Sequence, residues 1–433
     1  MQFGMFCELQ MPRPWREGQE QRLFLNALEW VEIGDRIGID CVWAQEHHFL
    51  EEYSHSSAPE VFLAACSQRS KRMRLGHGIT LMPPNFNHPV RVAERIATLD
   101  LVSQGRVEWG TGEASSRLEL EGFGLNYLEK RAMWAEAVRE TAKMMCSMPY
   151  PGCSGKYFAV PTRNVVPKPV QRPHPPLWMA CTNRDSLRLA ARLGMGALTF
   201  AFMDAGEARY WVEEYYDIFR RECTPIGQAV NPKVAMLDGL FCHRDRDTAI
   251  DRGLEGQRFF AWALAHYYRV GRHRPGVTNL WEQFKASPPF PMAGVRAVGT
   301  PDDVRAHFKD LEAAGVDQLI LLQQAGAYEH DHVCESLELF GRAVVGEFKE
   351  RDEKNRARRA EELAPYIERA LERRPKIGQH AEVPVVESYG IEWARGGAAN
   401  EQLGAKRALD SNAVWKLHVG GAASVRHDGG MAK

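Results

Sequence analysis

Short β-rich runs recur along this chain, each followed by a segment with helical periodicity, and that alternation restricts the fold more than any other feature. A parallel strand covered on both faces reads as a brief apolar run, and the helix that crosses over to the next strand reads as a 3.6-residue stripe. Eight such strands fall at residues 2–6, 41–44, 74–81, 107–110, 177–180, 197–200, 233–241 and 318–322. Amphipathic helices separate them at 21–37, 60–70, 89–103, 128–145, 185–193, 205–222 and 301–314. Eight βα repeats favour closure into a (β/α)₈ TIM barrel over an open doubly wound sheet. Some boundaries carry explicit chemistry. In Thr300-Pro301-Asp302-Asp303 the threonine suits an N-cap, the proline the first helical position, and the carboxylates the positive end of the helix dipole.

The 433 residues exceed the roughly 250 of a plain barrel, and the excess is local. Residues 126–175 combine a helix with a proline-rich extended connection. Residues 253–291 hold Phe259-Phe260-Ala261-Trp262 and Tyr267-Tyr268 and end in Pro288-Pro289-Phe290-Pro291. This insertion is expected to roof a pocket as a lid, or else to be a surface helix pair packed through its aromatics. The domain reading is a barrel over 1–348 and a C-terminal extension over 349–433, a charged helix to about 374 and then a Gly- and Ala-rich arm.

A formal net charge of -1 provides no global field for nucleic acid or an anionic membrane, so the expected partners are small molecules. No run reaches the roughly 18 apolar residues of a membrane span, and the expected location is the cytoplasm. The nine cysteines are scattered, without a C-x-x-C pair, and read as buried thiols; Cys181 alone falls in a candidate binding loop. No bound metal is expected.

Active sites of parallel barrels lie where strands end at their carboxyl edge. Glu46-His47-His48-Phe49 occupies such an edge after the second strand. Imidazole moves protons near neutral pH, which suits an acid/base or oxyanion-stabilising role. The rival reading is a metal site, but adjacent histidines on extended chain point to opposite sides. In Gly76-His77-Gly78-Ile79 glycines within a strand mean either that something flat approaches the backbone or that the strand bends to close the barrel. Trp109-Gly110-Thr111-Gly112-Glu113 ends the fourth strand in small residues and leads into a polar loop with Ser115, Ser116 and Arg117. After the fifth strand, Cys181-Thr182-Asn183-Arg184-Asp185-Ser186 opens a helix, whose amides, hydroxyls and dipole suit an anion, with Arg184 as added charge. There is no G-x-G-x-x-G or Walker sequence.

Taken in order, these segments resemble the bacterial-luciferase-like family of flavin-dependent monooxygenases over residues 1–348. The resemblance rests on Phe3-Gly4-Met5-Phe6, Val42-Trp43 with Glu46-His47-His48-Phe49, Pro83 to Arg91, Leu99-Asp100 to Arg106, Pro169-Val170-Gln171, Gly299-Thr300-Pro301 and Gly315-Val316-Asp317. It implies a luciferase-type barrel and, as cofactor, reduced FMN borrowed from a separate flavin reductase. With O₂ the flavin would form a C4a-(hydro)peroxyflavin that oxygenates a small organic substrate, by hydroxylation or Baeyer-Villiger-type insertion. By motif position His47 is the catalytic histidine. Gly78-Ile79 is where a non-prolyl cis peptide often lies behind the flavin ring; Gly110, Thr111 and Gly112 follow the ring edge; Cys181, Thr182, Asn183 and Ser186 hold the phosphate. The family habit implies a homodimer or higher homo-oligomer. Gly112 and Glu113 stand where luciferases carry a cysteine and an arginine, which argues against aldehyde oxidation with light emission; Cys181 stands where they carry an acidic residue. A deazaflavin-dependent dehydrogenase or reductase, and a catalytically silent flavin-binding protein, are the alternatives on the same fold.

Overall fold

The computed structural model describes residues 1–200, 202–288, 297–377 and 383–388. Its barrel strands are β1 (Gln2–Cys7), β2 (Cys41–Ala44), β3 (Arg74–Leu81), β4 (Val107–Gly112), β5 (Leu177–Cys181), β6 (Gly196–Thr199), β7 (Val234–Gly239) and β8 (Gln318–Leu322). They pair in parallel in chain order, and Gln2 opposite Gln318 joins the last to the first. The expected TIM barrel is thus a closed one. No helix among the described residues is long and apolar enough to cross a membrane.

The helices are α1 (Gln19–Ile37), α2 (Pro59–Arg69), α3 (Pro89–Val102), α4 (Arg117–Gly122), α5 (Lys130–Cys146), α6 (Arg184–Arg192) and α7 (Ala205–Glu222), followed by α8 (Arg246–Ala265), α9 (Leu280–Ala286), α10 (Pro301–Ala313), α11 (His330–Phe340) and α12 (Gly346–Glu372). Most boundaries lie within two residues of the sequence reading. Thr300 caps α10 as expected, in a reciprocal capping box with Asp303.

Two differences are physical. The apolar run 233–241 was read as one strand, but β7 stops at Gly239, and Phe241–Cys242 pairs instead with Val298–Gly299 in a separate ribbon. Both pieces are buried, so hydrophobicity alone does not mark the break. The loop with Ser115, Ser116 and Arg117 is also the start of a helix, α4, with Ser116 at its N-cap.

Side chains alternate across each strand. Outward residues such as Phe3, Val42, Leu75 and Leu319 pack with the helices. Inward residues Phe6, Trp43, Ile79, Trp178, Leu198, Leu237 and Ile320 form a second cluster, which continues upward into Tyr53, Phe259 and Phe260. The barrel floor is two indoles in edge contact, Trp43 and Trp178, with centroids 5.4 Å apart at 83°. Each points its N–H at a buried acceptor, Trp43 at Gln318 (3.0 Å) and Trp178 at Glu108 (2.7 Å).

This floor explains the strand glycines. A Cβ on Gly76 would lie 2.3 Å from the Trp43 ring, and one on Gly196 2.3 Å from the Trp178 ring. The flat object against Gly76 is therefore the protein's own tryptophan. Helix α12 packs against the barrel, with Phe348, Leu363 and Ala370 buried and Phe348 in edge contact with Phe3 at 5.4 Å. By backbone packing the chain divides into the unit Met1–Gln379, which holds the barrel, and the unit His380–Lys433. Of the second, residues 383–388 are described, and they are exposed; the Gly- and Ala-rich arm from residue 397, like Pro289, Phe290 and Pro291 of the insertion, lies outside the described residues.

Candidate active site

A cavity of about 700 Å³ opens at the carboxyl edge of the barrel, within the range of roughly 300–1,000 Å³ that holds small-molecule ligands. Alternation along β2 and its extension sends Trp43, Gln45 and His47 to the same side, one row from floor to mouth; Gln45 and His47 line the cavity. His48 points the other way, its ring 4.9 Å from Phe123 and 6.1 Å from Phe86, with Nε2 on Glu46. Glu46 orients its surroundings, accepting from the amide of Leu81 (2.7 Å) and from Asn87 (2.8 Å).

His47 stands between two carboxylates. Nδ1 is 3.0 Å from Glu119 Oε1 and Nε2 is 3.5 Å from Glu8 Oε1. The Tyr268 hydroxyl lies 3.3 Å from Nδ1, and the Tyr53 ring is in edge contact. Burial disfavours the imidazolium, but Glu8 and Glu119 outweigh it and hold His47 at about 9. Burial dominates at Glu8 and lifts it to about 7, against the pull of the histidine.

Away from His47 the lining carries two cations, Lys130 and Arg131, beside one carboxylate, Glu113. Thr182, Asn183 and Ser186 line the cavity where α6 begins, with Lys130 and Arg131 from α5. Asn183 and Ser186 form a reciprocal capping box, which fixes the first turn. Arg131 is held by Glu113 through bonds of 2.8 and 2.7 Å. Lys130 donates to the carbonyl of Ala114 (2.5 Å), a residue whose φ of 61° marks a sharp bend in the cavity wall.

An apolar slot is formed by Ile79, Gly112, Ala180, Phe200 and Leu237. Its remaining wall comes from α8 and the π-helical turn His266–Val270 that continues it: Ala261, Leu264, Ala265 and Tyr268 form one helical stripe facing the cavity. On another face Phe259 packs on Trp281 at 4.9 Å and Phe284 at 5.5 Å. The insertion thus both packs through its aromatics and walls the cavity. It is tied to the loop bearing His47: Glu52 accepts from the amides of Leu280 (2.5 Å) and Trp281 (3.1 Å), and Glu51 from that of Gly276 (2.7 Å).

Of the sequence-derived candidates, the cavity brings together His47, Gly78, Ile79, Gly112, Thr182, Asn183 and Ser186. Three do not reach it. Thr111 faces the helices, donating to Trp178 O (2.9 Å) and accepting from Trp134 Nε1 (3.1 Å). Cys181 follows the inward Ala180 and so points outward, its thiol on Met179 O at 3.3 Å and pushed up to about 12 by burial. Gly110 lies below the cavity, where a Cβ would sit 2.0 Å from the carbonyl oxygen of His77, so glycine there serves strand contact.

Arg184 is committed elsewhere, to Glu214 at 3.0 and 2.8 Å. The cis peptides among the described residues all precede proline, and the irregularity at Gly78-Ile79 is a shift of register with β4 between His77 and Thr80. Glu8, Glu119, Lys130 and Arg131 were missed, while Tyr268 was read only as part of the roofing insertion. Glu8 had a readable signal, since it follows β1 as Gln45 follows β2. Among the described residues Glu29, His330 and Cys334 also converge. His330 is satisfied without an ion there, accepting from Trp30 at 3.1 Å and meeting Glu29 at 3.2 Å.

The family model for luciferase-like monooxygenases matches residues 1–318. The uncharacterized protein y4wF of Sinorhizobium fredii is 33% identical over 40% of this chain, which spans 49% of that protein. The oxygenase component of the flavin-dependent trigonelline monooxygenase of Acinetobacter baylyi is 24% identical over 73% of this chain and 88% of its own. Among solved structures, the monooxygenase RslO1 of Streptomyces bottropensis has a TM-score of 0.66 at 26% identity, covering 80% of this chain and 100% of its own. An F420-dependent secondary alcohol dehydrogenase shares the fold, with a TM-score of 0.61 at 18% identity over 79% of this chain and 98% of its own.

Proposed function

The chain belongs to the luciferase-like monooxygenase family, and from that premise we propose that its cavity takes reduced FMN and uses O₂ to oxygenate a small organic substrate. The observation that carries this reading is the cavity's polarity. The start of α6 lines the cavity with Arg131, Lys130 and Glu113, the apolar slot with Ile79, Gly112 and Ala180, and the end of β2 with the His47 cluster. A phosphate-bearing flat molecule matches that combination. Helix N-termini and guanidinium groups both favour phosphate, while apolar walls suit a ring system.

Arg131, Thr182, Asn183 and Ser186 are the phosphate holders in this reading, and Ile79, Gly112 and Ala180 flank the ring. When bound, reduced FMN supplies the two electrons that activate O₂. His47, charged between Glu8 and Glu119, holds a proton at the cavity wall and delivers it to oxygen. Phe200, Phe260, Leu264 and Tyr268 keep water away from the reacting region, and the insertion acts as lid. In this reading a separate flavin reductase supplies the reduced cofactor. The Acinetobacter relative is an oxygenase component, which supports that division of labour.

Binding of FMN and of riboflavin, which lacks the phosphate, tests the assignment. FMN should bind at least about tenfold more tightly, as expected of charge-assisted hydrogen bonds. Arg131→Ala should erase most of that margin and leave riboflavin unchanged. Equal affinity of the two flavins for the unaltered protein would overturn the placement of the phosphate.

A further inference from the structure

The His47 end of the cavity has more acceptors than donors. Glu8, fully buried, and Glu119, also fully buried, both line it. His47 directs its two ring nitrogens at one oxygen of each. Neither oxygen of Glu8 nor Oε2 of Glu119 completes a hydrogen bond. The Ser54 hydroxyl is spent on the backbone carbonyl of Glu8 at 2.8 Å, and the Tyr53 hydroxyl stands beside the carboxylate. Buried carboxylate oxygens left open are costly unless a ligand meets them.

Charge points the same way. Around the imidazole stand Glu8, Glu119 and, just behind, Glu46, so one cation faces three carboxylates. Lys130 is within reach of Glu119's field, but its ammonium is bonded to Ala114 O and lies 3.9 Å from Glu113. Arg269 sits on the exposed rim. The walls of this end are the rings of Tyr53, Phe260 and Tyr268, with Tyr53 5.5 Å from Phe260 and 6.3 Å from Tyr268. Aromatic faces beside buried carboxylates attract cations by both charge and quadrupole.

We propose that this end of the cavity selects a small organic cation, so that the substrate carries a protonated or quaternary amine seated between Glu8 and Glu119 and against Tyr53, Phe260 and Tyr268. The inference rests on the monooxygenase reading for its chemistry but not for its test. Equilibrium binding to the flavin-free full chain is measured with benzyltrimethylammonium, benzyl alcohol, phenol and benzoate, followed by tryptophan fluorescence.

The cation should bind at least about tenfold more tightly than each of the other three. Glu8→Gln and, independently, Tyr268→Leu should each remove most of that preference, and either variant that folds suffices. A cation that binds no more tightly than benzyl alcohol or benzoate overturns the proposal. Equal binding of phenol would show that the carboxylates serve a neutral hydroxyl, and overturns it too. FMN binding to the same preparation separates the two ideas: with FMN bound and no cation preference the inference alone falls, whereas loss of FMN binding removes the monooxygenase reading.

Discussion

Replacing His47 with alanine is expected to lower turnover on the order of 10²–10⁴-fold, the range of a positioned proton donor, while FMN affinity changes by no more than a few-fold. The asymmetry follows from geometry. His47 stands between Glu8 and Glu119, and the residues assigned to the phosphate are other members of the lining. The variant should also fold. Removing the imidazole leaves Glu8 and Glu119 without their shared cation, but Glu8 already titrates near 7 and takes up a proton in place of that charge.

The pH profile adds a signature that a packing defect would not produce. With His47 held at about 9, activity that needs its imidazolium falls as pH rises through that value. Glu8→Gln removes a negative neighbour, so the histidine loses its proton more easily and the alkaline limb moves toward the ordinary range near about 6.5. In His47→Ala that limb disappears. Steady-state rates across pH 6 to 10, with anaerobic FMN titration as the control, check all three statements; an unchanged rate in His47→Ala would remove the role assigned to it.

Replacing Trp43 with alanine should destabilise the barrel by about 3–5 kcal/mol, as large core truncations do. Trp43 is 1% exposed. Its indole occupies the space that glycines at 4 and 76 keep open, packs edge-on against Trp178, and donates to Gln318. Deletion leaves a cavity and an unpaired acceptor, and the facing glycines have no side chains to move in. The urea midpoint of the full chain reads this directly. The effect should reach the site, because Trp43, Gln45 and His47 form one inward row. A shift within experimental error would mean that the floor does not carry the barrel as described.

The fold was readable because strand and helix periods differ and the alternation repeats eight times. Even the short four-residue β2 (Cys41–Ala44) stands out between helical segments. His47 was readable for a similar reason: strand ends build the mouth of a barrel, and alternation separates it from His48. Where sequence reasoning fell short, the missing information was three-dimensional. Arg131 reaches the anion end from a helix far along the chain, and Glu119 joins His47 across 72 positions. Neither pairing leaves a trace in local pattern.

Motif position singles out Cys181 and Thr111, whose side chains the strands turn away from the cavity. Counting alternation from Ala180 and Gly112 would have turned both outward. The glycines at 76 and 78 announced a close neighbour without saying which one. Register supplies the answer, since β2 and β3 pair Trp43 with Gly76. Arg184 looked like spare charge until Glu214, on the next helix, accounted for it.

Oxygen uptake with chemically reduced cofactors tests the central claim most directly. The full chain is loaded anaerobically with reduced FMN or with a reduced deazaflavin, oxygen is admitted, and consumption is followed with and without a panel of small organic cations. The account predicts binding of reduced FMN, O₂ uptake, and an oxygenated product formed in step with that uptake for at least one cation. Tight binding of the reduced deazaflavin, with hydride transfer to or from substrate and no O₂ consumed, would contradict it.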